Sequence, residues 1–206
     1  MTRIVLVRHG RTGWNAVERF RGRADIPLDE VGQTQAETTG ERIAREWQPV
    51  AVYSSPLSRA LDTARVIASR RGLEVQEHSG LLDIDYGEWQ GLTPQEVGSR
   101  WPDALRDWYE RPQAACIPSG ETLAAVRGRA MDAVAELAAM HHGETIALIS
   151  HTVVNRLILL GVLGLGNDRF WRLRQDTCAV NVIEAEGGGY TLVTMNDTCH
   201  LSRGPA

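Results

Sequence analysis

Two aliphatic runs that each end in a histidine constrain this chain more than any other feature. Residues 4–10 read IVLVRHG, and residues 146–151 read IALISH. Continuous apolar runs of this length are typical of strands buried inside a parallel sheet. Both runs nevertheless stop at polar side chains, which are Arg8 and His9 in the first run and His151 in the second. Because ligands of open α/β sheets bind beyond the carboxyl ends of the strands, the two histidines are candidates for one site.

The rest of the chain alternates between strand-like and helix-like patterns. Such alternation predicts an α/β fold, a three-layer sandwich whose mostly parallel central sheet carries helices on both faces. Periodicity, with Asp29 as a helix N-cap and Gly72 as a C-cap, predicts the remaining elements. The expected helices span about 29–47, 57–71, 119–140 and 152–163, and the further strands about 50–53, 73–76, 178–184 and 190–195.

The length of 206 residues fits one domain, which we expect to span residues 1–206. Residues 80–118 are irregular and predict a lid-like excursion with one or two short helices, since long loops in compact domains are usually functional. Four tryptophans in and beyond this region anchor either the lid or the face of a homodimer, and the sequence leaves both open. They are Trp89, Trp101, Trp108 and Trp171.

Composition and charge exclude several classes of partner. The formal net charge of −4 argues against a nucleic-acid-binding surface, so any anionic ligand must be held by local arginines. The three cysteines show no CxxC spacing, which predicts neither a disulfide framework nor a thiolate metal site. The chain enters its first strand directly after Met1, and the apolar segment 157–166 is too short to span a bilayer. We expect a soluble, cytoplasmic protein without a membrane partner.

Arginines near the strand ends indicate that the predicted site binds phosphate. Arg8 adjoins His9, and Arg59 in SSPLSRALDTA follows the second strand at the first turn of a helix. The planar guanidinium group matches phosphate oxygens and stays charged at any working pH. Asn15, in RTGWN, either donates to the same anion or stabilises a turn.

Six segments together resemble the histidine phosphatase superfamily, which includes the cofactor-dependent phosphoglycerate mutases. In order along the chain they are LVRHGRTGWN, FRGRADIPLDEVGQTQA, SSPLSRALDTA, LLDIDYGEWQG, PSGET and ISHTVVNR. The resemblance covers nearly the whole chain. It implies the phosphoglycerate mutase-like fold and the hydrolysis of a small phosphate ester, with neither a metal nor a cofactor.

The resemblance also implies roles for particular residues. His9 attacks phosphorus and becomes phosphorylated, and water later frees the phosphate. Phosphoryl transfer of this kind asks the protein mainly for positioning and for cationic charge. The residues expected to hold the phosphate are Arg8, Asn15, Arg59, His151 and Thr152, the last in place of a common glycine. Those expected on the substrate side are Arg11, Arg21, Gly22, Asp85 and His200.

The general acid is the main departure from the family pattern. A leaving alkoxide needs a proton, and the family supplies it from a glutamate in the segment that resembles LLDIDYGEWQG. Here the matching residue is Asp83, one methylene shorter. We favour Asp83 as the acid, with Asp85 or Glu88 as alternatives.

The carboxyl-terminal segments resemble the metal-independent phosphoserine phosphatase branch. These segments are SHTVVNR, NDRFWRL and NDTCHL, and the last implies that His200 contacts the substrate. Arg11 stands where relatives carry Glu or Gln; it either favours an acidic substrate or is a solvated loop arginine.

Other functions stay open at this stage. The short middle region favours a phosphatase over a phosphoglycerate mutase, and α-ribazole phosphate or sugar phosphates are alternative substrates. The pair Asp83 and Asp85 imitates the DxD motif of magnesium-dependent phosphatases, but no apolar first strand precedes it. A pseudo-phosphatase that only binds a phospho-ligand is the non-enzymatic alternative.

Overall fold

A computed structural model describes residues 1–15 and 19–201, the side chain of Asn15 excepted. Over these residues the strands form one six-stranded sheet. In chain order the strands are β1 (Thr2–Arg8), β2 (Ala51–Ser54), β3 (Val75–Glu77), β4 (Thr145–Ser150), β5 (Val180–Glu186) and β6 (Gly189–Asp197).

Six α-helices lie in the described part of the chain, and short 3₁₀ turns join several of them. The helices are α1 (Glu30–Glu46), α2 (Ser58–Ser69), α3 (Pro94–Arg100), α4 (Pro102–Glu110), α5 (Leu123–Met140) and α6 (Thr152–Val162). No helix among the described residues is both long and apolar enough to cross a bilayer.

The order of the strands brings the two histidine-ended runs side by side. The sheet runs β3-β2-β4-β1-β5-β6, and β1 pairs in parallel with β4. In this register Arg8 lies opposite Ser150, and the His9 N–H donates to the Ser150 carbonyl oxygen at 3.0 Å. The two strands therefore end at the same level, as the sequence predicts for neighbours. β5 pairs antiparallel with β1 and with β6, to which it is joined through Gly187 and Gly188.

The faces of the sheet carry separate apolar cores. Ile4 and Leu6 pack towards α5, α6 and the 80–118 segment, whereas Val5 and Val7 pack towards α1 and α2. Side chains alternate between faces along a strand, so a run that is apolar at every position needs cover on both sides. The predicted three-layer α/β sandwich is confirmed.

The loop that follows β1 is held tightly against the first turn of α1. The Asp29 carboxylate caps this helix by accepting from the Gly32 N–H at 2.8 Å, and the Asp29 N–H donates to the Arg11 carbonyl oxygen at 3.0 Å. A Cβ added to Gly32 would lie 2.0 Å from that carbonyl oxygen, and one added to Gly10 would lie 2.5 Å from the Gly32 carbonyl oxygen. Glycines at both positions allow the loop that carries His9 to approach the helix.

The 80–118 segment contains two short helices, and buried tryptophans anchor it to the apolar core. Thr93 and Glu96 form a capping box at the start of α3. Trp89 and Trp108 are almost completely buried and belong to the same apolar core as α5 and α6. Of the two roles that the sequence leaves open for the tryptophans, these two serve to anchor the segment.

Candidate active site

His9 and His151 form the centre of the site at the carboxyl edge of β1 and β4. Their ring centroids lie 5.1 Å apart, and both rings are buried. His9 Nδ1 lies 2.7 Å from the Gly10 carbonyl oxygen, which can only accept, so Nδ1 carries the proton. Among the described residues none donates a hydrogen bond to His9 Nε2, so its lone pair is available. Burial, then the charges of Arg59 and Arg8, lower the pKa of His9 well below its ordinary value of 6.5.

His151 presents a buried donor to the same space. Its Nε2 lies 2.7 Å from Ser55 Oγ, which accepts from the Leu57 N–H and so has its own proton free to donate. When Nε2 accepts the Ser55 hydroxyl proton, the neutral ring carries its own proton on Nδ1. Among the described residues Nδ1 has no hydrogen-bond partner, and Asp83 Oδ2 lies 3.6 Å away. Burial, followed by the charge of Arg59, lowers the pKa of His151 as well.

Two buried arginines lie beside the histidines, and both arginines donate hydrogen bonds to backbone carbonyl oxygens. Arg8 Nη1 donates to the Gln175 carbonyl oxygen at 2.7 Å. Arg59 donates to the carbonyl oxygens of Ala24 and Gly22 at 2.8 and 2.7 Å. Burial lowers the pKa of Arg8 to about 10, which still leaves it charged at neutral pH.

Three buried N–H groups in this centre lack a partner among the described residues. They are Nε of Arg8, Nε of Arg59 and Nδ1 of His151. A buried donor without a partner costs free energy, and native structures rarely leave several together. An oxyanion beside His9 would accept from such donors, so the arrangement fits a phosphoryl group.

Asp83 stands at the edge of this group and has the properties of an acid. Its Oδ2 accepts from Arg59 Nη2 at 3.0 Å, and its Oδ1 accepts from the Ile84 N–H at 3.0 Å. Burial raises the pKa of Asp83 above its ordinary value of 3.8, against the opposing charges of Arg59 and Arg21. A carboxyl group with a raised pKa can hold a proton for transfer.

A cavity of about 370 Å³ opens onto His9. The polar residues Arg8, Arg21 and Asp83 line it together with the nucleophilic imidazole. The rest of its lining includes aromatic and cationic side chains. They are Phe20, Tyr86, Trp108, Tyr109, Phe170, Trp171, Arg19, Arg156 and Arg174. The cavity therefore has room for a phosphoryl group and for an organic portion with charge of its own.

Most of the sequence-predicted site residues meet at this cavity. Six of them line it, and these are Arg8, His9, Arg21, Gly22, Asp83 and Thr152. Arg59 and His151 lie behind the lining, fully buried and close enough for their charges or rings to act on His9. The side chain of Asn15 lies outside the described residues.

Two predicted substrate contacts lie away from the cavity. Arg11 donates from Nε to Asp29 Oδ2 at 2.7 Å, on the outside of the loop that precedes α1. Asp85 pairs with Arg23 at 3.1 Å, and its backbone exchanges hydrogen bonds with Glu121. Both side chains form ion pairs within the protein, and their assignment to substrate stays a prediction.

The structure also does not bring His200 to the cavity. The end of β6 turns onto α1, where His200 Nδ1 accepts from Arg42 Nη1 at 3.1 Å. His200 Nε2 lies 2.9 Å from Thr39 Oγ1. This buried imidazole ties the end of β6 to α1 and is not part of the cavity lining, and its contact with substrate stays a prediction.

Sequence reasoning missed part of the cavity lining. Arg156 lies four residues after Thr152 on α6, so both side chains face the same way, and both line the cavity. The helical spacing from the predicted Thr152 is the signal that would have found Arg156. Gln175 and Asp176 come from an irregular segment, and no periodicity marks them.

Comparison with known proteins decides the family. A family model described as the histidine phosphatase superfamily (branch 1) matches residues 4–198. The chain belongs to this superfamily. This histidine phosphatase is 35% identical over 201 residues to phosphoserine phosphatase 1 of Hydrogenobacter thermophilus, a match that covers 98% of this chain and 95% of the relative. The sequence prediction of a phosphatase from this superfamily is confirmed.

Solved structures with the same fold are similar over nearly the whole length of the histidine phosphatase. The Bacillus stearothermophilus protein YhfR superposes with a TM-score of 0.93 at 30% identity, covering 98% of this chain and 100% of the other. A mutant phosphoserine phosphatase from Entamoeba histolytica, solved in complex with phosphoserine, superposes with a TM-score of 0.88 at 26% identity. That match also covers 98% of this chain and 100% of the other.

Proposed function

We propose that this histidine phosphatase hydrolyses phosphoserine, or a phosphate monoester closely similar to it, through a phosphohistidine at His9. One observation carries the chemistry: a neutral imidazole has its Nε2 lone pair free while buried cationic donors without partners surround it. The likeness to the Hydrogenobacter and Entamoeba phosphoserine phosphatases favours phosphoserine as the substrate.

In the first step the phosphoryl group moves from the ester to His9. The lone pair of Nε2 forms the N–P bond, and the bond between phosphorus and the ester oxygen breaks with its electron pair on oxygen. The proton that this oxygen takes up comes from the Asp83 carboxyl, whose pKa burial raises, and serine leaves with a neutral hydroxyl group. The hydrogen bond from Nδ1 to the Gly10 carbonyl oxygen stabilises the positive imidazole that results.

Arginines stabilise the negative charge that spreads over the phosphoryl oxygens during transfer. Arg8 and Arg59 are already held by backbone carbonyls, so little reorganisation is needed at the moment of reaction. Arg21 adds a third charge from the cavity wall, and His151 Nδ1 adds a neutral donor. Fixed cations of this kind serve the purpose that a metal ion serves in other phosphatases.

In the second step water releases the phosphate. Asp83, now a carboxylate, accepts a proton from a water molecule whose oxygen attacks phosphorus. The N–P bond breaks with its electron pair on Nε2, which restores the neutral imidazole. Inorganic phosphate leaves, and Asp83 is protonated again for the next turnover.

The test is phosphate release from phosphoserine in the presence of excess EDTA, by the wild type and by His9→Ala. We expect EDTA to leave the rate unchanged and His9→Ala to abolish release. The matched control is His142→Ala, because His142 is an exposed histidine outside the cavity. We expect this variant to keep wild-type activity.

Three outcomes would contradict the proposal. The first is activity that EDTA removes, which is the behaviour of a magnesium-dependent DxD phosphatase. The second is a protein-bound phosphoryl group stable to acid, since phosphohistidine is acid-labile. The third is conversion of 3-phosphoglycerate to 2-phosphoglycerate without phosphate release, which would indicate a mutase.

A further inference from the structure

Arg156 is a cavity arginine to which the chemistry above gives no role. It lies on α6 one turn after Thr152, so its backbone is roughly 6 Å further along the helix axis from the phosphate-binding end. The side chain is half-buried and lines the cavity. Arg156 therefore reaches the space that the organic portion of a substrate would occupy.

Two aromatic rings hold the Arg156 guanidinium in place. Its Cζ lies 5.1 Å from the ring centroid of Phe170 and 4.9 Å from that of Trp171. Trp171 is itself fixed by a hydrogen bond from Nε1 to the Trp108 carbonyl oxygen at 2.7 Å, and it stacks on Tyr109. Rings that contact the flat faces of a guanidinium leave its N–H edge available for a planar anion.

The structure gives Arg156 no anionic partner of its own. Among residues 1–15 and 19–201 no carboxylate forms an ion pair with it, and its Nε is buried without a hydrogen-bond partner. Burial lowers its pKa, and no Asp or Glu among the described residues opposes this shift. A half-buried cation without a counter-ion is costly unless a ligand supplies the missing charge.

The other cavity arginines are accounted for. Arg174 pairs with Asp176 at 2.8 Å, and Arg19 donates to the Gly91 carbonyl oxygen. The charges of Arg8 and Arg21 act on His9, and a phosphate dianion bound there would balance them. Arg156 is left without a counter-charge, and one further anionic group on the ligand would balance it.

We propose that Arg156 binds the carboxylate of the substrate and so restricts this phosphatase to phosphate esters that carry a second acidic group. The inference rests on the proposed function and deepens it. In phosphoserine only the ester oxygen and two carbon atoms separate phosphorus from the carboxylate carbon. A substrate of that length spans from His9 to a cation one helical turn beyond the phosphate, and its planar carboxylate suits the guanidinium edge.

The experiment compares two substrates that differ only in the carboxylate, phosphoserine and O-phosphoethanolamine. We expect wild-type kcat/KM to favour phosphoserine by at least tenfold, about what one charge-assisted hydrogen bond contributes. Arg156→Gln should remove this preference by lowering kcat/KM for phosphoserine while leaving that for phosphoethanolamine within about twofold. Arg156→Lys, which keeps the charge but not the planar fork, should retain part of the preference.

Arg174→Gln is the matched control for charge. It removes an arginine at the rim of the same cavity, but one that Asp176 already neutralises. We expect the preference for phosphoserine to stay at its wild-type value in this variant. A fall as large as that in Arg156→Gln would show that the field of the whole cavity, and not Arg156, makes the distinction.

A merely structural role for Arg156 gives a different result. If Arg156 only holds Phe170 and Trp171 in place, its loss lowers kcat/KM for both substrates by the same factor, and the proposal is overturned. If the variants do not fold, the wild type alone decides, because equal rates on the two substrates would also overturn it. Absence of hydrolysis of every ester would instead remove the proposed function itself.

Discussion

One hydrogen bond determines the chemical state of His9. The Gly10 carbonyl oxygen can only accept, so it holds the imidazole proton on Nδ1 and leaves Nε2 as a nucleophile. The nearby cations reinforce this state, because the charges of Arg59 and Arg8 disfavour a second proton on the ring. The arginines that bind an anion therefore also keep the nucleophile neutral.

We predict that His9 and His151 both stay neutral through pH 6.5 and below. Burial and neighbouring arginines lower both pKa values. An ordinary histidine takes up a proton near pH 6.5, whereas these two rings stay neutral at that pH. Long-range ¹H–¹⁵N spectra of the imidazoles, recorded from pH 8 to pH 5, measure the tautomer and the titration directly. A His9 ring protonated on Nε2, or one that titrates like free histidine, would contradict the assignment of the nucleophile.

The role of Asp83 predicts a dependence on the leaving group. Asp83→Asn keeps the shape but cannot donate a carboxyl proton, so an ester with a poor leaving group suffers most. We expect the variant to slow phosphoserine hydrolysis by about 10²–10⁴-fold and hydrolysis of 4-nitrophenyl phosphate by much less. Loss of the ion pair with Arg59 affects both substrates, so it cancels in the comparison. Equal losses on both esters would exclude Asp83 as the acid.

At the scale of elements, the site depends on how closely the β1–α1 loop approaches its helix. Gly10, Arg11 and Gly32 are in backbone contact, and Asp29 ties the helix start to the loop. The His9 side chain stands on this loop, and its N–H donates to the end of β4. The position of the nucleophile is thus fixed from the strand side and from the helix side.

Gly32→Ala should disturb both stability and activity. The added Cβ would lie 2.0 Å from the Arg11 carbonyl oxygen, so backbone must move. We expect a loss of about 1–3 kcal/mol in the free energy of unfolding and at least a tenfold fall in kcat, because His9 moves with the loop. Denaturant unfolding and phosphate release measure the two effects.

Gly128→Ala is the matched control, since it makes the same change on the exposed face of α5. A Cβ there meets nothing within 4 Å. Alanine in a helix interior is more stable than glycine, so we expect Gly128→Ala to gain about 0.5–1 kcal/mol without a change in activity. Similar effects from both variants would show that the loop contact is not special.

At the scale of the whole molecule, the site lies where the two apolar cores meet the carboxyl edge of the sheet. The core on the α5 and α6 face carries the 80–118 segment, which brings Asp83 and Trp108 to the cavity. The core on the α1 and α2 face supplies the helix that carries Arg59. Residues far apart in the chain converge because the sheet order places β1 and β4 at its centre.

The fold and the residues around His9 could be predicted because short, continuous stretches of the sequence indicate both. Apolar runs that end in Arg8, His9 and His151 mark both the strands and the edge at which a ligand binds. The positions of Asp85 and His200 depend instead on distant partners. Glu121 forms hydrogen bonds with the backbone of Asp85, and His200 packs against α1. Neither contact leaves a pattern in the neighbouring sequence.

Two buried neutral histidines also predict how stability changes with pH. The native state lowers the pKa of His9 and of His151, so the unfolded chain binds more protons below pH 6.5 and stability falls with falling pH. When the pH falls from 7.5 to 5.5, we expect each of the two histidines to lower the free energy of unfolding by about 1 kcal/mol. The raised pKa of Asp83 acts in the opposite direction, but it is one group against two.

A double variant isolates this contribution from the two histidines. We compare the wild type with His9→Gln combined with His151→Gln, and measure denaturant unfolding at pH 7.5 and at pH 5.5. His200 is present in both proteins, so its own lowered pKa cancels. The loss of stability on acidification should be smaller in the variant by about 2 kcal/mol, the sum of the two terms. An unchanged loss would mean that His9 and His151 take up protons as readily in the native state as in the unfolded chain, and the site would then hold a charged imidazole without a lone pair for phosphorus.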